Sequence, residues 1–259
     1  MPAMIDIAHV HKEFIKNGQA FSVLDDVSIS VGTGEFVALI GPSGCGKSTI
    51  LNMIAGLIMP DEGQLHYQGE PIKSVNTAVG YMTQSDSLLP WRTVEENISV
   101  ALDIRNIEKT EKKQRVKDAI EKVDLIGFEH HRPHELSGGM RKRVLLARTL
   151  IYHPATLLMD EPFAALDALL RVVMQEELLR IWNNDRRTVL YVTHDLAEAI
   201  TLADRVIVFS KRPGRIVLDQ RVDLPRPRAV DSLRMAPEFL KIYDQLWSTL
   251  RLEVENAVD

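Results

Sequence analysis

The feature that most constrains this chain is the glycine-rich segment GPSGCGKST at residues 41–49. It follows EFVALI, a continuous apolar run typical of a buried parallel strand, and it leads into a helix-like stretch. In that context the pattern G-x-x-x-x-G-K-S predicts a loop whose backbone amides surround a polyphosphate. Lys47 would reach the outer phosphates and the Ser48 hydroxyl would bind Mg²⁺. The alternative is a glycine-rich turn with a surface lysine, which the strand and helix flanks disfavour.

A second apolar run, TLLMDEP, ends in two adjacent carboxylates. Its apolar residues should carry Asp160 to the carboxyl end of a central strand, where ligands collect in open α/β sheets. A carboxylate there can hold Mg²⁺, and Glu161 could orient or deprotonate an attacking water. The alternative is an acidic pair at a strand end with no catalytic role. The phosphate loop earlier in the chain favours the catalytic interpretation.

Two further polar residues follow short apolar runs, His194 in VLYVTHD and Gln84 in VGYMTQ. A lone histidine is more often structural than catalytic. A parallel strand that ended in the same crevice would, however, direct His194 at the γ-phosphate. Gln84 could bind a metal ion or a water molecule, or it could cap its strand. These residues alone do not decide whether His194 is structural or catalytic, or whether Gln84 binds a ligand or caps its strand.

The segment LSGGMRKRVLLAR at residues 136–148 contains a second glycine-rich turn before a helical pattern. The paired glycines 138 and 139, the hydroxyl of Ser137 and the helix dipole all favour an anion there. Residues 41–49 would already surround the phosphates of one ATP, so this turn is expected to complete the site of another copy. Two protomers arranged head to tail about a two-fold axis would enclose two ATP molecules. The alternative is a cap that serves only its own helix.

The order of the apolar runs predicts the fold class. Strand-like runs such as ATLLMD, RTVLYVT and RVIVFS alternate with helical stretches, which indicates an α/β core with a parallel sheet. From about residue 93 to residue 153 the pattern is helical, and Val116, Ala119, Ile120 and Val123 share one apolar face. This middle part is expected to be a helical lobe inserted into the core. LPRPRAVD is expected to be a linker before a terminal amphipathic helix.

Composition excludes several other classes of protein. The 259 residues carry a net charge of −5, which argues against non-specific nucleic-acid binding. One cysteine, Cys45, excludes an internal disulfide. We expect no secretory signal, and no window approaches the roughly 18 apolar residues needed to span a bilayer. Membrane association is therefore expected only through a partner.

Taken together, GPSGCGKST, MTQ, LSGGM, LLMDEP, ALD and VTHD closely resemble the ordered motifs of the nucleotide-binding subunits of ABC transporters. The resemblance extends from about Ile5 to Leu224. It implies a P-loop NTPase core of the α/β class, with a mostly parallel central sheet and an N-terminal antiparallel β portion. It also implies an ATPase domain over 1–224 with a helical subdomain at about 90–153. A linker and helix would occupy 225–259.

The resemblance implies roles for particular residues. Phe14 takes the position of the aromatic residue that stacks on adenine, and Phe21 is the less suitable alternative. Glu161 would be the catalytic carboxylate, His194 the switch histidine, and Lys47 a stabiliser of phosphate charge. The matching ATP-binding positions are Phe14, Gly41, Pro42, Ser43, Gly44, Cys45, Gly46, Lys47, Ser48, Thr49 and Gln84. The expected Mg²⁺ ligands are Ser48, Gln84 and Asp160.

For the dimer, the resemblance implies that the turn of Ser137, Gly138 and Gly139 contacts the γ-phosphate of the opposite protomer. Asp167 would lie in the loop that couples the two sites. Lys142 stands where the family usually has glutamine, and we expect no loss of activity from it. The expected cofactors are ATP and Mg²⁺, and the expected assembly is a homodimer.

The segments SLLPWRTVEENI, EPFAALDALLR and KRPGRIV resemble importers of nitrate, sulfonates such as taurine, and related solutes. The resemblance implies permease subunits that dock near Gln84 to Trp91 and, indirectly, a solute-binding protein. It implies a peripheral location on the cytoplasmic face of a bacterial membrane. Trp91 could instead pack on its own lobe. Rival functions are a mechanical ATPase acting on DNA, a P-loop kinase for a small metabolite, and an assembly-factor ATPase without a permease.

Overall fold

Two sheets of different kinds organise the protein. The computed structural model describes residues 3–16, 18–85, 87–164 and 166–255. The strands are β1 (Ile5–Lys16), β2 (Gln19–Val31), β3 (Phe36–Ile40), β4 (Glu62–Tyr67), β5 (Glu70–Pro71), β6 (Val79–Met82), β7 (Thr156–Asp160), β8 (Thr188–Val192), β9 (Arg205–Phe209) and β10 (Ile216–Arg221). The helices are α1 (Lys47–Ile54), α2 (Val94–Ile104), α3 (Lys109–Lys122), α4 (Gly138–Leu150), α5 (Ala168–Asn184), α6 (Leu196–Leu202), α7 (Val230–Leu233) and α8 (Pro237–Glu255).

The central sheet has six strands in the order β10-β9-β3-β8-β7-β6. Its strands pair in parallel from β9 through β6, and β10 joins β9 as an antiparallel edge. Every residue of β3, β7 and β8 is buried, as expected for strands covered on both faces. The arrangement brings the carboxyl ends of β3, β6, β7 and β8 to one edge of the sheet, where the predicted site residues follow.

The N-terminal sheet is antiparallel, with the strand order β2-β1-β4-β5. Its apolar residues and one face of the central sheet enclose α1 in a shared core that includes Ile7, Leu39 and Ile50. A larger core on the other face of the central sheet contains Trp182, which packs edge-on against Phe36 at 5.7 Å between ring centroids. The predicted fold class, an α/β P-loop core with a mostly parallel sheet and an N-terminal antiparallel portion, is confirmed.

Helices α2, α3 and α4 lie between β6 and β7 in the chain, within the predicted range 90–153. The first of them begins with a capping box, because Thr93 accepts from the Glu96 amide at 3.3 Å and Glu96 accepts from the Thr93 amide at 2.9 Å. In α3, Val116 and Ile120 are buried and Ala119 is partly buried, as the periodicity predicts. The division into a core domain and a subdomain stays a prediction.

The segment predicted to be a linker packs closely against the core. Arg228 is only 6% exposed, and its guanidinium donates to carbonyls at the end of α6 and after β10. Burial lowers the pKa of Arg228 to about 10. Helix α8 then buries Phe239 and Leu246. Within the described part of the chain, every helix is too short or too polar to cross a bilayer.

Candidate nucleotide site

The glycine-rich segment connects β3 to α1 at the carboxyl edge of the central sheet. Gly46 caps the helix with φ 103°, a left-handed conformation that suits glycine. A Cβ atom at this position would lie 2.4 Å from Leu24 Cδ2, so no side chain fits there. The loop therefore turns tightly and presents its amides at a helix N-terminus, which is the geometry for binding phosphate.

Lys47 is the first residue of α1 and is 6% exposed. Its Nζ donates to the carbonyls of Gly41 at 2.8 Å and Pro42 at 2.9 Å, so the ammonium group lies across the loop. Cys45 Sγ lies 3.6 Å from the same nitrogen, and burial raises the pKa of the Cys45 thiol. The loop thus holds Lys47 Nζ against its own carbonyls, and no carboxylate among the described residues forms an ion pair with it.

Ser48 and Asp160 link the phosphate loop to the end of β7. The Ser48 hydroxyl donates to Asp160 Oδ1 at 3.1 Å. Burial raises the pKa of Asp160, and the Ser48 hydrogen bond partly offsets that shift. A hydroxyl and a carboxylate beside a phosphate loop form the donor set that Mg²⁺ prefers when phosphates supply its other ligands. Within the described ranges there is no cluster of three acidic, histidine or cysteine side chains that would hold a metal ion alone.

Two predicted site residues from neighbouring strand ends converge on one carboxylate oxygen of a third, Glu161. Gln84 Nε2 donates to Glu161 Oε2 at 3.1 Å, and His194 Nδ1 lies 3.4 Å from the same oxygen. Glu161 has φ 45°, and its amide donates to the Val192 carbonyl at 2.9 Å. A left-handed conformation is unusual for a residue with a side chain. The backbone after β7 is therefore held in a form that directs Glu161 between Gln84 and His194.

Phe14 and Phe21 face each other across β1 and β2. Their ring centroids are 6.2 Å apart with an interplanar angle of 30°, and both rings are partly buried. Lys12 Nζ lies 5.5 Å from the centroid of the Phe14 ring. The sequence favoured Phe14 over Phe21 as the adenine-stacking residue. The structure places the two rings together, so either ring could provide a π face there.

The second glycine-rich turn lies at the start of α4. Ser137 caps that helix, and its hydroxyl accepts from the Met140 amide at 3.3 Å. Gly138 and Gly139 form the first two helical residues. Asp167 caps α5 in the same way and accepts from the Leu170 amide at 3.0 Å. Among the described residues, no hydrogen bond or ion pair joins residues 137–139 to the phosphate loop.

Two side chains near the site were not assigned a role from the sequence. Lys142 is 2% exposed, and its Nζ donates to the Gln84 carbonyl at 3.2 Å, which links α4 to the segment after β6. Arg212 Nε donates to the Gly44 carbonyl at 3.1 Å. The Pro-Gly pair in KRPGRIV is typical of a turn. Only the tertiary fold shows that this loop lies beside the phosphate loop.

A phosphate loop and paired carboxylates at the carboxyl edge of a parallel sheet define a P-loop NTPase. The chain also matches the family described as ABC transporter over residues 24–164, more than half of its length. The protein belongs to the ABC transporter family, and it is an ATPase of that family. The resemblance stated from the motifs is therefore confirmed.

Several ATP-binding proteins are similar to this chain over most of its length. An uncharacterized ABC transporter ATP-binding protein of Methanocaldococcus jannaschii is 42% identical over 100% of this chain and 95% of its own length. The aliphatic sulfonates import ATP-binding protein SsuB of Bacillus cereus is 42% identical over 89% of this chain and 91% of its own. The taurine import ATP-binding protein TauB of Burkholderia pseudomallei is 42% identical over 92% and 93%.

The fold has a close counterpart among solved structures. A dimeric ATP-binding cassette in a post-hydrolysis state, bound to ADP and Pi, has a TM-score of 0.76 and 28% identity to this chain. The match covers 86% of this chain and 100% of that cassette.

Proposed function

We propose that this protein is the ATP-hydrolysing subunit of a bacterial importer for a small solute such as nitrate, taurine or another sulfonate. The sulfonate and taurine import proteins among its relatives support the importer assignment. The observation that carries the hydrolytic role is the convergence of Gln84 and His194 on Glu161 beside the Ser48–Asp160 pair. This is the set of groups that phosphoryl transfer to water requires.

In the proposed mechanism the phosphate loop binds the phosphates of ATP through its amides, and Lys47 stabilises their negative charge. Mg²⁺ would be held by Ser48 and Asp160, with Gln84 nearby, and would neutralise charge on the bound phosphates. Glu161 orients the attacking water and accepts its proton. His194, which is on the adjacent strand end, donates a hydrogen bond to the γ-phosphate. Catalysis then depends mainly on positioning and charge stabilisation.

The hydrolytic role can be tested on the purified chain without any acceptor molecule. We expect phosphate release from ATP in the presence of Mg²⁺, and we expect Lys47→Ala to bind ATP poorly and release little phosphate. A P-loop kinase would form ADP slowly until its acceptor is added, and it would then transfer the phosphate to that acceptor without releasing it. ADP formation that rises only on addition of a metabolite, with no matching release of phosphate, would therefore refute the proposal.

Two protomers are proposed to assemble head to tail, with Ser137, Gly138 and Gly139 of each protomer completing the nucleotide site of the other. The solved dimeric cassette with a TM-score of 0.76 supports a dimer. The direction of the arrangement is supported by the turn itself, which has a helix N-terminus suited to phosphate but no described contact with its own phosphate loop. Asp167, at the start of α5, would lie between the two sites.

Mixing two inactive variants tests the head-to-tail arrangement directly. Lys47→Ala damages the phosphate loop of its own chain, and Ser137→Arg damages the turn. In a head-to-tail heterodimer both defects fall in one site, and the other site is intact. We expect a mixture of the two variants to hydrolyse ATP faster than either alone. If each site used only its own chain, no site would be intact and mixing would restore nothing.

The permease is proposed to dock near residues 84–91, which would hold the protein on the cytoplasmic face of the membrane. Leu88 anchors this segment in the core, whereas Trp91 is 68% exposed and available to a partner. We expect Trp91→Ala to leave hydrolysis by the isolated chain unchanged and to abolish solute uptake by cells.

Uptake of labelled taurine, ethanesulfonate and nitrate would identify the solute and, indirectly, the solute-binding protein. Unchanged uptake of all three in cells carrying Glu161→Gln would refute the importer assignment.

A further inference from the structure

The turn between β9 and β10 lies directly on the phosphate loop. A Cβ atom on Gly214 would lie 2.0 Å from the Cys45 carbonyl oxygen, so only glycine permits this approach of the two backbones. The Gly214 amide donates to the Val23 carbonyl at 2.8 Å, and the Asp25 amide donates to the Gly214 carbonyl at 3.1 Å. The turn is thus fixed to both β2 and the phosphate loop.

A second set of contacts fixes the preceding residues of the turn. The Lys211 amide donates to Glu253 Oε2 at 3.1 Å, which joins the turn to the last part of α8. The Arg215 amide donates to the Ser210 hydroxyl at 2.9 Å, which closes the turn from the other side. The backbone that carries residue 212 is therefore held by contacts on both sides of it.

Arg212 extends from this turn into the space between the aromatic pair, which is predicted to bind adenine, and the phosphate loop, which is predicted to bind the outer phosphates. Its Nε donates to the Gly44 carbonyl at 3.1 Å, and a Cβ atom on Gly44 would lie 2.8 Å from Arg212 Nη2. On the other side, the guanidinium carbon lies 5.3 Å from the centroid of the Phe21 ring. Phe21 adjoins Phe14, the residue expected to stack on adenine. The guanidinium therefore lies between the aromatic pair and the phosphate loop.

Arg212 differs from neighbouring arginines in its ionic partners. Other arginines close by have carboxylate partners: Arg205 contacts Asp219, and Arg215 contacts Asp25. Within the part of the chain that the structure describes, Arg212 contacts no carboxylate. Its guanidinium has five N–H donors, and the Gly44 carbonyl uses the donor on Nε. The remaining donors are available to an anion.

We propose that Arg212 is a nucleotide-contacting residue that binds the α-phosphate of ATP. An ATP molecule with its adenine on the aromatic pair and its outer phosphates in the loop has its ribose and α-phosphate between them. Arginine binds phosphate through charge-assisted hydrogen bonds, and the stacking on Phe21 orients the guanidinium plane. This inference rests on the proposed function, because it places the same ATP in the same site.

The test compares ligands that contain or lack the α-phosphate. Arg212→Gln should weaken binding of ATP and ADP by about 10-fold, the loss typical of one charge-assisted hydrogen bond. Binding of inorganic pyrophosphate, whose two phosphates match only the β- and γ-phosphates in the loop, should change little. Arg212→Lys keeps the charge and should recover part of the affinity. Arg221→Gln removes an equal charge at the far end of β10 and should have no effect.

Steady-state hydrolysis gives an independent measurement. We expect Arg212→Gln to raise KM for ATP about 10-fold while kcat stays near the wild-type value, because the α-phosphate does not react. Equal weakening of ATP and pyrophosphate would overturn the inference, since Arg212 would then act only by supporting the loop. Unchanged ATP affinity in Arg212→Gln would overturn it as well. If the wild-type chain bound neither ligand, the proposed function would fail and the inference with it.

Discussion

The protein contains two glycine-rich turns that each begin a helix, and their surroundings differ sharply. At the phosphate loop, Lys47 is buried, Ser48 bonds to Asp160, and Arg212 lies against Gly44. At the second turn, the Ser137 hydroxyl caps its own helix, and the Arg141 guanidinium donates to the Leu136 carbonyl at 2.7 Å. The first turn is linked to a carboxylate of its own chain, whereas no hydrogen bond among the described residues joins the second turn to the phosphate loop.

A glycine-rich turn before a helix is therefore not by itself a complete phosphate-binding site. Both turns offer backbone amides at a helix N-terminus and a favourable helix dipole, which favour binding of phosphate. Only the first is placed at the carboxyl edge of a parallel sheet, where Asp160 and Glu161 also lie. The second turn is therefore expected to act through another protomer.

The largest effect is expected for Glu161→Gln. Glutamine keeps the size and can still contact Gln84 and His194, but it cannot accept a proton from water. We expect hydrolysis to fall by roughly 10²–10⁴-fold, the usual contribution of a general base. ATP binding should persist, so a dimer loaded with ATP should accumulate and appear as a larger species by size-exclusion chromatography.

A matched control for that variant is Glu176→Gln, an exposed position on α5. It removes the same charge away from the site and should leave both hydrolysis and oligomeric state unchanged. Normal turnover in Glu161→Gln would show that Glu161 is not the general base. Loss of hydrolysis without any ATP-dependent dimer would contradict the arrangement in which two protomers share two nucleotides.

The next effect is expected for Ser137→Arg, which places a bulky side chain at the exposed second turn. We expect hydrolysis to fall by about 10²-fold, as for other losses of phosphate-stabilising donors. ATP affinity of the monomer should stay within a factor of about two, since this turn does not contact its own phosphate loop. A fluorescent nucleotide titration at low protein concentration measures that affinity. A large loss of monomer affinity would show that the turn acts within its own chain.

Much of the site around the phosphate loop could be predicted from the sequence, because the positions of its residues follow from where the strands end. The apolar runs before Gly41, Asp160 and His194 became the parallel strands β3, β7 and β8, and parallel strands end at the same edge. The prediction that these residues lie together is thus a consequence of sheet topology. The roles of individual site residues stay predictions.

Other features could not be predicted because they depend on contacts between distant segments. Arg212 and Gly44 are far apart in the sequence, and no periodicity connects them. Arg228 lies in a proline-rich stretch that suggests a linker, yet its guanidinium satisfies several carbonyls at the end of α6 and after β10. Such contacts arise when the chain packs, so local patterns do not contain them.

A smaller effect should separate the two glycines of the second turn. A Cβ atom on Gly139 would lie 2.5 Å from Leu170 Cδ2, whereas one on Gly138 would have no neighbour closer than 3.8 Å. We expect Gly139→Ala to be less stable than Gly138→Ala by about 1–3 kcal/mol in urea unfolding, the typical cost of overpacking. Gly138→Ala should retain wild-type stability and still lose hydrolysis. Full activity in Gly138→Ala would mean that no phosphate approaches this residue.

The smallest effect is expected for Asp160→Asn, measured by thermal unfolding without nucleotide or Mg²⁺. Burial raises the pKa of Asp160 in the folded protein, so its ionised form at neutral pH costs stability. Asparagine can still accept from Ser48 and carries no charge, so we expect a gain of roughly 1 kcal/mol and a Tm higher by about 2–4 °C. The opposite result is expected for Asp219→Asn, which breaks the contact with Arg205. A lower Tm for Asp160→Asn would show that this carboxylate stabilises the fold. The nucleotide site would then not reduce the stability of the folded protein.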